Sequence, residues 1–165
     1  MDLSDVWDYI EEVAAARLKN NKSWRHYSGF GPRIETLGAA GELVARRFLS
    51  QEETLHTHFD GGVDIYFGGQ TIDVKAMRWE PGFWQRLFLQ WPYWKPVKSQ
   101  IVLVTAVSLD RKAGIVVGYA LPHEITRTAI NLRRAIWCHE VPVKELHPAG
   151  ELLHLATRLP QAVAY

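Results

Sequence analysis

The run Ile-Val-Leu-Val-Thr-Ala-Val at residues 101–107 constrains the fold of this chain more than any other feature. It is apolar and largely β-branched, broken only by Thr105, and far too short to cross a bilayer. A strand of that composition has no polar face to turn to water, so it must be covered on both sides. A layered protein follows, and 165 residues suit one domain over residues 1–165 with a sizeable core.

The flanking patterns supply the layers. Ser4 is expected to cap a helix running to about Lys19, with Val6, Ile10, Val13 and Leu18 near one face. Residues 24–32, with Gly29, Gly31 and Pro32, read as a loop. From about Arg33 to Ser50 the spacing of Leu37, Gly41, Val44 and Phe48 predicts a second helix. On it Glu42 sits half-buried at the margin of the apolar stripe, while Arg46, Arg47, Gln51 and Glu52 are expected in solvent. Strand signals follow at residues 54–59, 63–67 and 70–77, the last two joined by the two-residue turn Gly68-Gly69. Residues 115–120 read as another strand, Pro122 opens a helix expected to reach about Arg134, and residues 137–143 read as a last strand. His123-Glu124 reads as chemistry of that helix's N-terminus. The fold class expected is α/β or α+β, a mixed sheet flanked by helices in a single domain.

Charge and composition exclude some functions. With 19 Lys+Arg against 18 Asp+Glu, the chain lacks the positive excess of a purely electrostatic nucleic-acid binder. The single cysteine, Cys138, forbids an internal disulfide and reads as a small core residue. The start carries Asp2, Asp5 and Asp8, unlike the basic start of a signal peptide, so a cytoplasmic address without membrane partners is expected. No G-x-S-x-G and no phosphate-binding glycine loop is present.

The chemistry gathers on the hairpin. In residues 70–77 Ile72, Val74 and Ala76 take one face, and Thr71, Asp73, Lys75 and Met77 the other. Asp64 precedes the turn, and in register it falls opposite or diagonal to Asp73. Like charges adjacent in a sheet are disfavoured unless something neutralises them. Two carboxylates and the Val74 carbonyl suit Mg²⁺ or Mn²⁺, with Lys75 placed to orient an attacking water and offset phosphate charge. This pattern, a helix carboxylate, a hairpin Asp and then D-x-K, resembles the PD-(D/E)xK nuclease superfamily, which includes restriction endonucleases and archaeal Holliday-junction resolvases. The resemblance covers about residues 33–107. It puts Glu42, within Gly41-Glu42, at the helix carboxylate, Asp64 at the first acid, Asp73 at the second and Lys75 at the lysine. Val63 stands where the family has a proline. The ending from Gly118-Tyr119-Ala120 more softly resembles small phage and prophage members, which places the chain in a bacterial or phage-infected cell. What the resemblance implies is a restriction endonuclease-like fold and a Mg²⁺-dependent deoxyribonuclease. Glu42, Asp64, Asp73 and Lys75 would be catalytic, with metal ligands drawn from Asp64, Asp73, Val74 and Glu42, and DNA, in some members branched, as substrate.

Residues 79–98 interleave aromatics with bases, which suits stacking on unpaired nucleic acid. Phe83, Trp84, Leu87, Phe88 and Trp91 also fall at helical spacing, which fits packing or a homodimer through residues 79–94 better. Arg33, Arg78, Arg86, Lys95 and Lys98 are the candidate phosphate contacts; Arg25, His26 and Tyr27 flank the first loop and suit DNA or solvent equally. His56 and His58 alternate, but no cysteine or third histidine stands at ligand spacing, so zinc is not expected.

Overall fold

A computed structural model describes the chain at residues 1–20, 31–57, 62–80, 88–133 and 136–158. Helices α1 (Trp7–Asn20) and α2 (Gly31–Phe48) come first. Strands β1 (Ile65–Phe67), β2 (Gln70–Arg78), β3 (Phe88–Pro92), β4 (Ile101–Ser108) and β5 (Ala113–Ala120) follow. Helix α3 (Pro122–Arg127), strands β6 (Ile130–Arg133) and β7 (Ile136–Pro142), and helix α4 (Ala149–Arg158) complete the order.

The apolar run becomes β4, and every residue of it is buried. It lies inside a mixed sheet ordered β1-β2-β4-β5, parallel to β2 and antiparallel to β5. On one face Ile72, Val74, Ile101 and Leu103 pack on Ala45 of α2, Leu49 just beyond it and Leu152 of α4. On the other, Val102 and Val104 meet Leu89, Trp91 and Val141 of a second, antiparallel sheet ordered β3-β7-β6. Helix α1 closes over α2 through Ile10, Val13, Leu43 and Val44. The layers are therefore helices, mixed sheet and antiparallel sheet, a mixed α+β architecture in one domain. Among the described residues no helix is long and apolar enough to cross a membrane.

Three glycines fix the part of this frame that matters later. Gly68 and Gly69 have φ of 55° and 77°, the two positive values that a primed hairpin turn demands. The turn locks Phe67 opposite Gln70 and Ile65 opposite Ile72. Gly41 marks the closest approach of α2 to the sheet: a Cβ there would lie 2.4 Å from the Ala76 Cβ and 2.6 Å from Thr105 Oγ1. Only a hydrogen fits, and Glu42 is the next residue.

Several expectations need correction. Helix α2 begins at Gly31, so the loop reading fails at its last two residues. Ser4 caps nothing; its amide and hydroxyl both donate to Asp2 Oδ1 at 3.0 and 2.8 Å, and Ser4–Val6 form a 3-10 turn before α1. Residues 54–57 are not a strand, having no ladder partner there. Helix α3 stops at Arg127, because Ile130–Arg133 pairs with β7 as a strand. Phe88 and Trp91 belong to a strand, so the helical reading of the aromatic segment fails over its described part. Helix α4 was not foreseen, and Arg46 is buried rather than solvated.

Candidate functional site

The hairpin brings Asp64, Asp73 and Lys75 together. The Asp64 amide donates to the Ile72 carbonyl at 2.9 Å, although Ile65 already faces Ile72. Two residues of the first strand thus oppose one of the second, a β-bulge that re-aims the Asp64 side chain. Its Oδ2 accepts the Val74 amide at 2.6 Å, so the Asp64 carboxylate sits on the peptide that joins Asp73 to Val74. Asp73 lies on the central side of the hairpin and is 2% exposed, and Lys75 Nζ is paired with Asp73 Oδ1. Alternation along β2 turns both toward the second sheet, where the Lys75 ammonium lies 4.9 Å from the Trp91 ring centroid.

Glu42 comes to this edge from α2 but does not stand alone. It is buried, deeper than the half-buried position expected, because Arg17 of α1 grips both its oxygens at 2.6 and 2.7 Å. The Arg17 Nε also donates to the His56 carbonyl at 2.7 Å. Burial opposes the charge on Arg17, but Glu42, with Asp64 and Glu35 behind it, raises its pKa overall. Two turns before Glu42, burial pushes the Glu35 carboxyl up; Arg17 opposes that rise and Glu42 adds to it. Arg17 therefore links Glu42 electrostatically to Asp64. Arg46, on the same helix, donates to the Asp64 carbonyl at 2.8 Å and holds the bulge in place.

The candidate cations divide. A Cβ on Gly62 would lie 3.9 Å from Asp73 Oδ2 and 4.0 Å from Lys98 Cδ, so Asp73 and Lys98 both border Gly62. The Lys95 ammonium lies 5.2 Å from the Trp91 centroid, and its carbonyl accepts the Trp91 indole N–H at 2.7 Å. Arg78 instead pairs with Glu80 at 2.8 Å near the end of β2, and Arg33 is exposed early in α2. Arg86, Arg25, His26, Tyr27 and His58 lie outside the described residues. His56 is exposed and contributes its carbonyl rather than its ring.

Sequence reasoning missed Arg17, Glu35, Arg46 and Trp91. A basic residue in the last turn of a helix reads as a partner of the helix dipole, so Arg17 carried no distinctive signal. Trp91 did carry one, an aromatic among lysines, but the helical spacing hid its alternation with Leu89. Among the described residues no three His, Cys, Asp or Glu side chains gather tightly enough to hold a metal unaided. What the hairpin gathers is a carboxylate pair, Asp64 and Asp73, at one peptide. No protein-family model, curated protein or solved structure matches this chain.

Proposed function

We propose that the protein is a Mg²⁺- or Mn²⁺-dependent endonuclease that hydrolyses DNA phosphodiester bonds. The observation that carries this reading is the bulged hairpin, which sets the Asp64 carboxylate on the Asp73–Val74 peptide with Lys75 against Asp73. Two carboxylates of neighbouring residues form an all-oxygen donor set, which suits a hard cation that keeps several waters better than it suits zinc. Asp64 and Asp73 would hold the ion, with the Val74 carbonyl as a third oxygen. Bound there, a divalent cation supplies polarisation of the phosphoryl oxygen and stabilises the leaving oxygen. Lys75 Nζ, held between Asp73 and the Trp91 ring, orients the attacking water and offsets charge on the scissile phosphate. Glu42, with Arg17 fixing both oxygens, shapes the field at Asp64 rather than reaching the ion directly. Lys98 and Lys95 stand where the flanking phosphates would pass.

This reading deepens the resemblance to the PD-(D/E)xK nucleases into a statement about atoms. Purified protein mixed with linear, branched and single-stranded DNA plus Mg²⁺ tests it. Cleavage that Asp73→Ala abolishes is expected; no cleavage of any substrate, or full cleavage by Asp73→Ala, sinks it.

One observation favours a second reading, a non-catalytic nucleic-acid- or protein-binding module on the same fold: Arg17 occupies both oxygens of the carboxylate that the resemblance makes functional. Titration calorimetry with Mn²⁺ separates the two. Heat that Asp64→Asn and Asp73→Asn abolish supports the nuclease, and its absence in the unmodified protein supports the module.

A further inference from the structure

The second sheet carries a surface that the carboxylate site does not use. Leu89 pairs with Val141 and Trp91 with His139. One step further Tyr93 comes beside Trp137, whose carbonyl takes the Tyr93 amide at 3.1 Å. Side chains alternate along a strand, so Leu89, Trp91 and Tyr93 share one face, and their cross-strand partners share it too. The face begins in the core, where Leu89 and Trp91 are each 1% exposed. It runs out into solvent at Tyr93 and Trp137, which are 52% and 50% exposed, and Trp94, 59% exposed, follows in the turn after β3. Tyr93 and Trp94 hold each other edge to face with centroids 5.4 Å apart, so the rings are braced rather than loose. Adjoining aromatics left in water mark a surface that something covers.

Charge says what that something is. Lys75, paired with Asp73, and Lys95 both lie against Trp91, two residues before Tyr93. A carboxylate site, then ammonium groups, then exposed aromatic rings is the complement of a chain that alternates phosphates with flat bases. An apolar peptide or a second copy of this protein would match the rings but not the lysines that lead from them to the acids. We propose that Tyr93, Trp94 and Trp137 form a stacking platform for an unpaired DNA strand, whose backbone Lys95 and Lys75 guide to Asp64 and Asp73. The catalytic end of this track rests on the nuclease reading; the platform does not. Bases inside a duplex have their faces stacked on one another, so the substrate class is single-stranded DNA or a duplex with a locally unpaired strand.

The test measures binding apart from cleavage. Fluorescence anisotropy of a labelled oligothymidine of about 15 nucleotides is followed with the full chain in EDTA, alongside a duplex of equal length. We expect the single strand to bind roughly tenfold more tightly than the duplex, and Trp94→Leu and Trp137→Leu each to weaken it about tenfold. Trp94→Phe and Trp137→Phe, which keep a ring face, should restore most of that loss, which a merely misfolded leucine variant would not explain. Equal affinity for duplex, leucine variants that bind like the unmodified chain, or phenylalanine variants as weak as leucine overturn the proposal. So does sedimentation showing a dimer that Trp137→Leu dissociates, since a second copy would then own the face. Adding Mg²⁺ to the same oligonucleotides scores the other reading separately. Strand-selective binding without cleavage overturns the nuclease and keeps the platform; cleavage with no preference for unpaired strand does the reverse.

Discussion

Replacing Glu42 by Gln removes one charge from a buried pair while keeping its shape, so the size of the effect reports what Arg17 and Glu42 do for each other. Their side chains are 11% and 10% exposed and joined by two hydrogen bonds of 2.6 and 2.7 Å. Breaking one partner of such a pair commonly costs about 3–5 kcal/mol, because the other charge is left buried and unmatched. Two features reduce that here. Arg17 keeps the His56 carbonyl and still feels Asp64 and Glu35, and Gln retains one acceptor oxygen. We expect a loss of about 2–3 kcal/mol, which for a chain of this length lowers Tm by roughly 4–12 °C. Arg17→Met leaves the Glu42 carboxylate buried without its cation and should cost more. The double variant Arg17→Met/Glu42→Gln should lose clearly less than the sum of the two single losses, since neither charge is then left buried and unmatched. Urea unfolding near neutral pH, followed by circular dichroism, measures all four proteins. If the double variant loses the sum of the two single losses, the residues are uncoupled and the reasoning is refuted.

Gly41→Val drives a branched side chain into Ala76 and Thr105, where even a Cβ sits at 2.4 and 2.6 Å; a loss of about 3 kcal/mol is expected, and an unchanged thermal midpoint would count against the close packing of α2. The Glu124 carboxyl has burial working against its charge, but the Leu121 amide and His147 outweigh that and hold its pKa down. Its stabilisation is therefore present above the ordinary glutamate pKa and lost as pH falls through the folded value, so Glu124→Gln should flatten the acid limb of a pH-stepped melting series; parallel curves would contradict this. Glu35 has the opposite sign: burial and Glu42 raise its carboxyl against Arg17, so its ionisation costs stability as pH climbs from the ordinary value to the raised one. Glu35→Gln should then melt higher than the unmodified protein at neutral pH and equally in acid, and a lower neutral midpoint would falsify the sign.

What the chain declares locally could be read from it, and what it settles at long range could not. The hairpin was legible because positive φ at Gly68 and Gly69 and the alternation of Ile72, Asp73, Val74 and Lys75 are properties of adjacent residues. The buried strand was legible for the same reason. Residues 130–133 read as the tail of a helix because nothing nearby forbids it; their strand exists only through Leu132 facing Trp137 and Ile130 facing His139. Arg17 meets Glu42 across 25 positions of sequence, and no pattern in α1 distinguishes it from a solvated arginine. Arg46 was misread by the same logic, since a charge at a helix end looks exposed until a carbonyl such as that of Asp64 comes to it. The bulge that re-aims Asp64 is invisible in a register drawn residue against residue, although the approximate opposition of Asp64 and Asp73 was expected.

The way the acids are neutralised bears on the chemistry. The carboxylates are answered from two elements: Asp64 accepts the Val74 amide and Asp73 pairs with Lys75, both on β2, while Glu42 is held by Arg17 from α1. Three carboxylates, Asp64, Asp73 and Glu42, are thereby gathered at one edge. A phosphodiester brought to such a site meets the negative field of Asp64 and Asp73, strongest where Asp73 is 2% exposed and water screens least. A divalent cation held there would offset that field and the charge of the phosphate together, more than a monovalent one would. Under the nuclease reading, DNA and metal should therefore bind with positive coupling at this edge: oligonucleotide affinity should rise on adding Ca²⁺, and Asp64→Asn should shrink that rise while leaving the stacking of Trp94 and Trp137 untouched.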